Sequence, residues 1–146
     1  MAFKQLYTEF SRLAGYFKSI SLLLMRLVLA YGFYEPAMMK WSDISAVAEW
    51  FGSIGIPFPA LNAYMAATTE LTGVVLLALG LLTRLISIPL IVVMVVAIVT
   101  VHLSNGFSAG NNGFEIPLYY MVMLFALFAH GPGRFSLDRL IFKEEA

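Results

Sequence analysis

The sequence contains no cysteine. That excludes disulfides, Cys-ligated zinc, Cys-ligated iron–sulfur clusters and a dithiol redox centre. Charge is scarce too. Nine Lys and Arg balance nine Asp and Glu, and only 12% of the residues are charged. A net charge of zero leaves no electrostatic footprint for nucleic acid. The Glu-x-x-His spacing of a di-iron bundle is missing, and no glycine-rich nucleotide fingerprint follows a strand. No low-complexity stretch or evident internal repeat is present. The first 18 residues lack the continuous apolar core of a secretory signal.

What is there is hydrocarbon: 60% of the 146 residues are hydrophobic. A soluble domain of this length cannot hide so much apolar surface, so the natural solvent is a bilayer. Spans need about 20 mostly apolar residues. Four segments fit: about 20–40, 60–82, 85–102 and 114–130, the last two at the short end of the range. The pair "TR" at 83–84 forces a tight hairpin between spans two and three, and the Gly/Asn-rich 104–113 joins spans three and four. The expected fold is all-α and integral to the membrane, an antiparallel four-transmembrane-helix bundle over residues 19–131 with a cytoplasmic C-terminal tail at 132–146.

In residues 1–18, Phe3, Leu6, Tyr7, Phe10, Leu13, Ala14 and Phe17 recur at helical spacing, which predicts an amphipathic helix. It either lies in the cytoplasmic interface or packs under the bundle. Residues 42–59 carry another short apolar stripe, ended by "GIPFP", and suit a surface or re-entrant helix capping the other side. With four spans, Lys4, Arg12, Lys18, Arg84, Arg134, Arg139 and Lys143 share one side, and Lys40 alone holds the other. The positive-inside rule puts both termini in the cytoplasm of a multi-pass inner-membrane protein.

At a rise of about 1.5 Å per residue, Glu35 stands roughly 22 Å above the cytoplasmic end of its span, Glu70 roughly 18 Å, His102 roughly 25 Å and Glu115 roughly 22 Å. Four ionisable groups from four helices thus reach one layer in the outer half of the membrane, with Lys40 at its rim. Tyr31, Tyr34, Thr68, Thr69, Thr100, Asn105 and Asn111 supply neutral polar neighbours. Ionisable groups at such depth face the bundle interior and pair with one another. Glu70 carries the most weight, because a lipid-facing charge there is expensive. Arg26, only roughly 9 Å up, reaches toward Glu70, makes a structural bond, or snorkels to the headgroups.

The two histidines lie at opposite membrane faces and cannot share a haem. No metal site is expected. The layer reads as an outward-opening, proton-exchanging pocket in which Glu70, His102 and Glu115 do the chemistry and Glu35, Lys40 and Arg26 bind. It fits a quinone head group with its tail between helices, or a small polar ligand, or a segment of a partner.

The stretches "LLLMRLVLAYGF", "WFGSIGIPFPALNAYMAATTELTGVVLLALGLLTR", "VVMVVAIVTVHLSNGF", "NNGFEIPL" and "GPGRFSLD" together resemble the DoxX family of small four-span bacterial membrane proteins, over about residues 20–139. The resemblance implies a four-helix bundle in the inner membrane and an association with quinone oxidoreductases. It also fits relatives that accompany metal- or stress-responsive operons as non-enzymatic accessory components, with a membrane or periplasmic protein partner or a homo-oligomer as the contact. Arg26, Lys40, Glu70, His102 and Glu115 stand where the family places its polar membrane residues. Pro36-Ala37 replaces a His-Gly pair found in many members, so a redox step needing that histidine is missing here.

Overall fold

The reversal at 80–82 shows how apolar residues alone can end a helix in this chain. In the computed structural model, which describes residues 1–143, α4 (Pro59–Leu79) stops at Gly80, whose φ of +67° is left-handed. Glycine reaches that region at no steric cost. Leu81 returns its amide to the Leu76 carbonyl, and α5 (Thr83–Ala97) begins at once. The hairpin therefore falls at Gly80–Leu82, not at "TR": Thr83 and Arg84 already form the first turn of α5.

The other helices are α1 (Ala2–Gly15), α2 (Lys18–Ser42), α3 (Ile44–Ser53), α6 (Glu115–His130) and α7 (Leu137–Phe142). Among the described residues there is no strand. α5 runs on through a π-helical turn, Ile98–His102, and a 3-10 turn, Leu103–Asn105. Three helices, Lys18–Ser42, Pro59–Leu79 and Thr83–Asn105, are long and apolar enough to cross a membrane. α6 is equally apolar but has 16 residues, about 24 Å of rise, short of a typical hydrocarbon core.

α2 packs on α4, α4 on α5, α5 on α6, and α6 back on α2. Leu22, Leu29, Phe33, Leu77, Leu90, Leu124 and Leu127 fill the space between them. Lipid tails are as apolar as these leucines, so helix association depends on close packing rather than on escape from water. Small residues supply it. Ala37, Ala63 and Ala67 are fully buried, and a Cβ on Gly73 would come within 2.8 Å of Leu90 Cδ1.

α1 contributes no buried residue, and Phe3, Leu6, Tyr7 and Phe10 are all exposed. The expected amphipathic helix is present and does not pack under the bundle. α3 supplies the expected cap over residues 42–59; Asp43 starts it by accepting from the Ala46 amide at 3.1 Å, and Phe51 is its buried side chain.

The segment expected as a tail folds back instead. Gly131, Pro132, Gly133, Ser136 and Asp138 are buried. The Asp138 carboxylate accepts from the amides of Leu82 (2.7 Å) and Thr83 (3.0 Å), closing the N-terminus of α5. A carboxylate there satisfies orphan donors and meets the positive end of the helix dipole. Ser19 Oγ on α2 accepts from the Arg134 amide at 3.2 Å. Residues 144–146 of that expected tail lie outside the described residues.

Candidate functional site

Arg26 belongs to this clasp and not to a ligand pocket. It is fully buried, and its guanidinium donates to the carbonyls of Pro132 (3.2 Å), Leu77 (3.0 Å), Ala78 (3.5 Å) and Phe135. Leu77 and Ala78 are in the last turn of α4, whose carbonyls have no partner within the helix and carry the negative end of its dipole. A planar fork of donors suits several carbonyls at once. The ligand-binding role expected for Arg26 thus gives way to a structural bond; it neither reaches Glu70 nor snorkels.

Fourteen residues further along the same face of α2, Lys40 meets Glu70 of α4. Nζ lies 2.9 Å from Glu70 Oε2 and 3.2 Å from Oε1. The register is held next door, where the Trp41 indole donates to the Ala67 carbonyl at 3.1 Å and packs edge-on to Tyr64. The Glu70 side chain is 4% exposed and that of Lys40 21%. A buried carboxylate needs a cation, and Lys40 is that cation.

Both residues line a cavity of about 720 Å³ bounded by α2, α3, α4, α5 and α6, within the range of small-molecule sites. Its walls are mostly apolar, with Phe33, Val92, Ile116 and Tyr120 among them, and α3 contributes Trp50 and Phe51. Thr69, Asn62, Thr100, Asn112 and His102 add polar groups.

His102 reaches this wall at the end of the π-helical turn, a distortion frequent at functional sites. Its Nδ1 lies 2.9 Å from the Asn112 carbonyl, which also accepts from Asn105 Nδ2 at 3.0 Å. A carbonyl can only accept, so Nδ1 carries the hydrogen and Nε2 of the neutral ring keeps its lone pair.

The layer is therefore only partly a cluster. Lys40, Glu70 and His102 share one cavity; Glu35 and Glu115 do not line it. Glu35 is exposed on the outward face of α2, with Tyr31 and Tyr34, and has no hydrogen-bond partner among the described residues. Glu115 braces the 104–113 loop by accepting from the Ala109 amide at 3.0 Å. Among the described residues no three His, Asp or Glu lie close enough to hold a metal ion. The sequence suits Trp41 to the water–lipid boundary; its bond to α4, and the part played by Asn112, are not expected from it. An aromatic beside Lys40 was the available signal for the first; nothing in the pattern foretold the second.

Comparison with known proteins agrees with this architecture. The chain matches the sequence profile of the DoxX family over residues 21–103, more than half its length. A Haemophilus influenzae protein described as uncharacterized is 35% identical over 136 residues, 90% of each chain. A Bacillus subtilis protein named "Putative oxidoreductase CatD" is 33% identical, covering 85% of this chain and 89% of its own. The Mycobacterium tuberculosis "Uncharacterized membrane protein Rv3486" is 32% identical over 84% of this chain and 82% of its own. No solved structure matches. The class is that of small helical membrane proteins, and the chain belongs to the DoxX family.

Proposed function

We propose that this chain is a four-span inner-membrane protein whose periplasm-facing cavity takes a quinone head group, as one subunit of a quinone-linked oxidoreductase. In this reading α6 is the fourth, short span of an antiparallel bundle, and the bilayer thins slightly to meet it. The excess of Lys and Arg beside α1, the 80–82 turn and the clasp supports an orientation with both termini in the cytoplasm.

One observation carries the reading: a buried Lys–Glu pair and a backbone-oriented histidine face one largely apolar cavity. Two of the three Lys40 protons are engaged with Glu70, which leaves one N–H donor for a carbonyl oxygen of the head group. The lone pair on His102 Nε2 accepts a hydroxyl of the reduced form. A quinone couple exchanges two electrons with two protons. In this reading Glu70 and His102 exchange the two protons with the head group, and the two electrons pass to or from a redox cofactor carried by a partner subunit. The oxidoreductase name of the Bacillus relative points the same way.

The test is purification in mild detergent followed by mass spectrometry of the retained lipids and quinones. Wild type should carry quinone, and Lys40→Met/Glu70→Leu should lose it while staying folded. A preparation free of quinone that neither binds nor reduces added quinone would sink the reading.

A second reading has its own support. Tyr31 is 85% exposed and the unpaired Glu35 lies beside it on the outward face of α2. Polar groups facing lipid are costly, and a neighbouring protein would cover them. On that reading the chain is a non-enzymatic accessory or ligand-binding component, serving a metal- or stress-responsive operon and contacting a membrane or periplasmic partner or a second copy.

A further inference from the structure

α4 and α5 part company above their hairpin. They press together at Gly73 and Leu90. On the outer side of this contact lies a second, shallower hollow of about 350 Å³, bounded by Thr72, Leu76, Leu82, Leu85, Ile88 and Pro89. Ile88 and Pro89 also line the main cavity, so the two hollows share a wall there. Ile88 is 48% exposed, and Val92, one turn above, 56%. Both side chains face the hydrocarbon that surrounds α5.

From Leu82 to His102 the seam follows α5 and the π-helical turn, a rise of about 30 Å, close to the thickness of the hydrocarbon core. Its lower part is apolar apart from Thr72; its upper part opens onto Thr69, Glu70 and Thr100. Trp50 and Phe51 line the same cavity from α3, on the side away from the hairpin. A molecule arriving past α3 would have to draw any long tail through water. One arriving through the seam keeps its tail in hydrocarbon throughout.

We propose that the α4–α5 seam is a lateral gate from the bilayer and the seat of an isoprenoid tail, so that the ligand class it serves is a long-tailed membrane quinone. This rests on the reading of the main cavity as a head-group site. Lipid is as apolar as the seam, so the seam holds the tail by close packing and orientation rather than by escape from water. A tail-less head group needs neither.

The test compares two probes in phosphatidylcholine nanodiscs holding the full chain: a benzoquinone with a long isoprenoid tail, and the same head group without one. Binding is read as quenching of Trp41 and Trp50, at equal mole fraction in the bilayer. Wild type should bind both. Thr72→Phe/Leu85→Phe, which fills the lower hollow without touching the main cavity or adding a tryptophan, should weaken the long-tailed probe about tenfold and leave the tail-less probe unchanged. The unchanged probe also serves as the control for folding. Equal binding of both probes to the variant and to wild type would overturn the lateral gate and leave the head-group site standing. Equal loss of both would also overturn it, because the effect would not belong to the tail. Failure of either probe to quench wild type would overturn the head-group site itself.

Discussion

Arg26 and Lys40 stand on the same face of α2 and are both drawn into the interior, yet they end in different chemistry. Arg26 is surrounded by backbone: the end of α4 and the 131–138 segment give it four carbonyls, and Asp138 from that segment closes α5. Nothing there is left over for a ligand. Lys40 has one partner, Glu70, and the pair borders a cavity. A buried charge held by fixed backbone groups is structure. A buried charge held by another side chain, beside open space, is available to change partner or protonation state. The two ends of one helix separate these cases.

The sharpest break in that contrast is Arg26→Met. It leaves several buried carbonyls without a donor and opens the clasp, at a cost on the order of 3–5 kcal/mol. Fluorescence-detected size exclusion in detergent should find most of the protein aggregated. Next comes Asp138→Asn, which keeps the shape but weakens the cap on α5. A loss of about 1–2 kcal/mol is expected, visible as a lower thermal midpoint with unchanged quinone retention. Smallest in stability is the paired change Lys40→Met/Glu70→Leu. Replacing both members with apolar side chains should leave the fold within about 1 kcal/mol of wild type while abolishing quinone binding. A collapse of this double variant comparable to that of Arg26→Met would mean that both ends are structural, and the contrast would be gone.

The spans were legible because hydropathy is additive along the chain, and α2, α4 and α5 begin and end within a few residues of expectation. The hairpin was misplaced by a residue or two for a physical reason. The turn's free backbone groups are met by Asp138 and Arg26 from elsewhere in the chain, so "LALGLLTR" hides its left-handed glycine in an apolar run. Rise along a helix follows from residue counting, but height is only one cylindrical coordinate. Arg26, Phe33 and Lys40 recur at seven-residue intervals on one stripe, together with Leu22, Leu29 and Ala37. Glu35 comes about two and a half turns after Arg26, on the opposite side of the helix. Its outward direction was written in the spacing and was missed by counting rise alone. The role of Arg26 was not legible, because its partners lie up to 109 residues away in a segment whose glycines and proline resemble an ordinary loop. The π-helical turn that delivers His102 to the cavity has no comparable sequence signal.

The clasp also imposes an order on biogenesis. Arg26 leaves the ribosome long before Pro132 and Phe135, the carbonyls it needs. Until those residues follow, Arg26 has only the α4 carbonyls to donate to. That buried charge is complete only once residues 106 to 109 positions downstream have emerged.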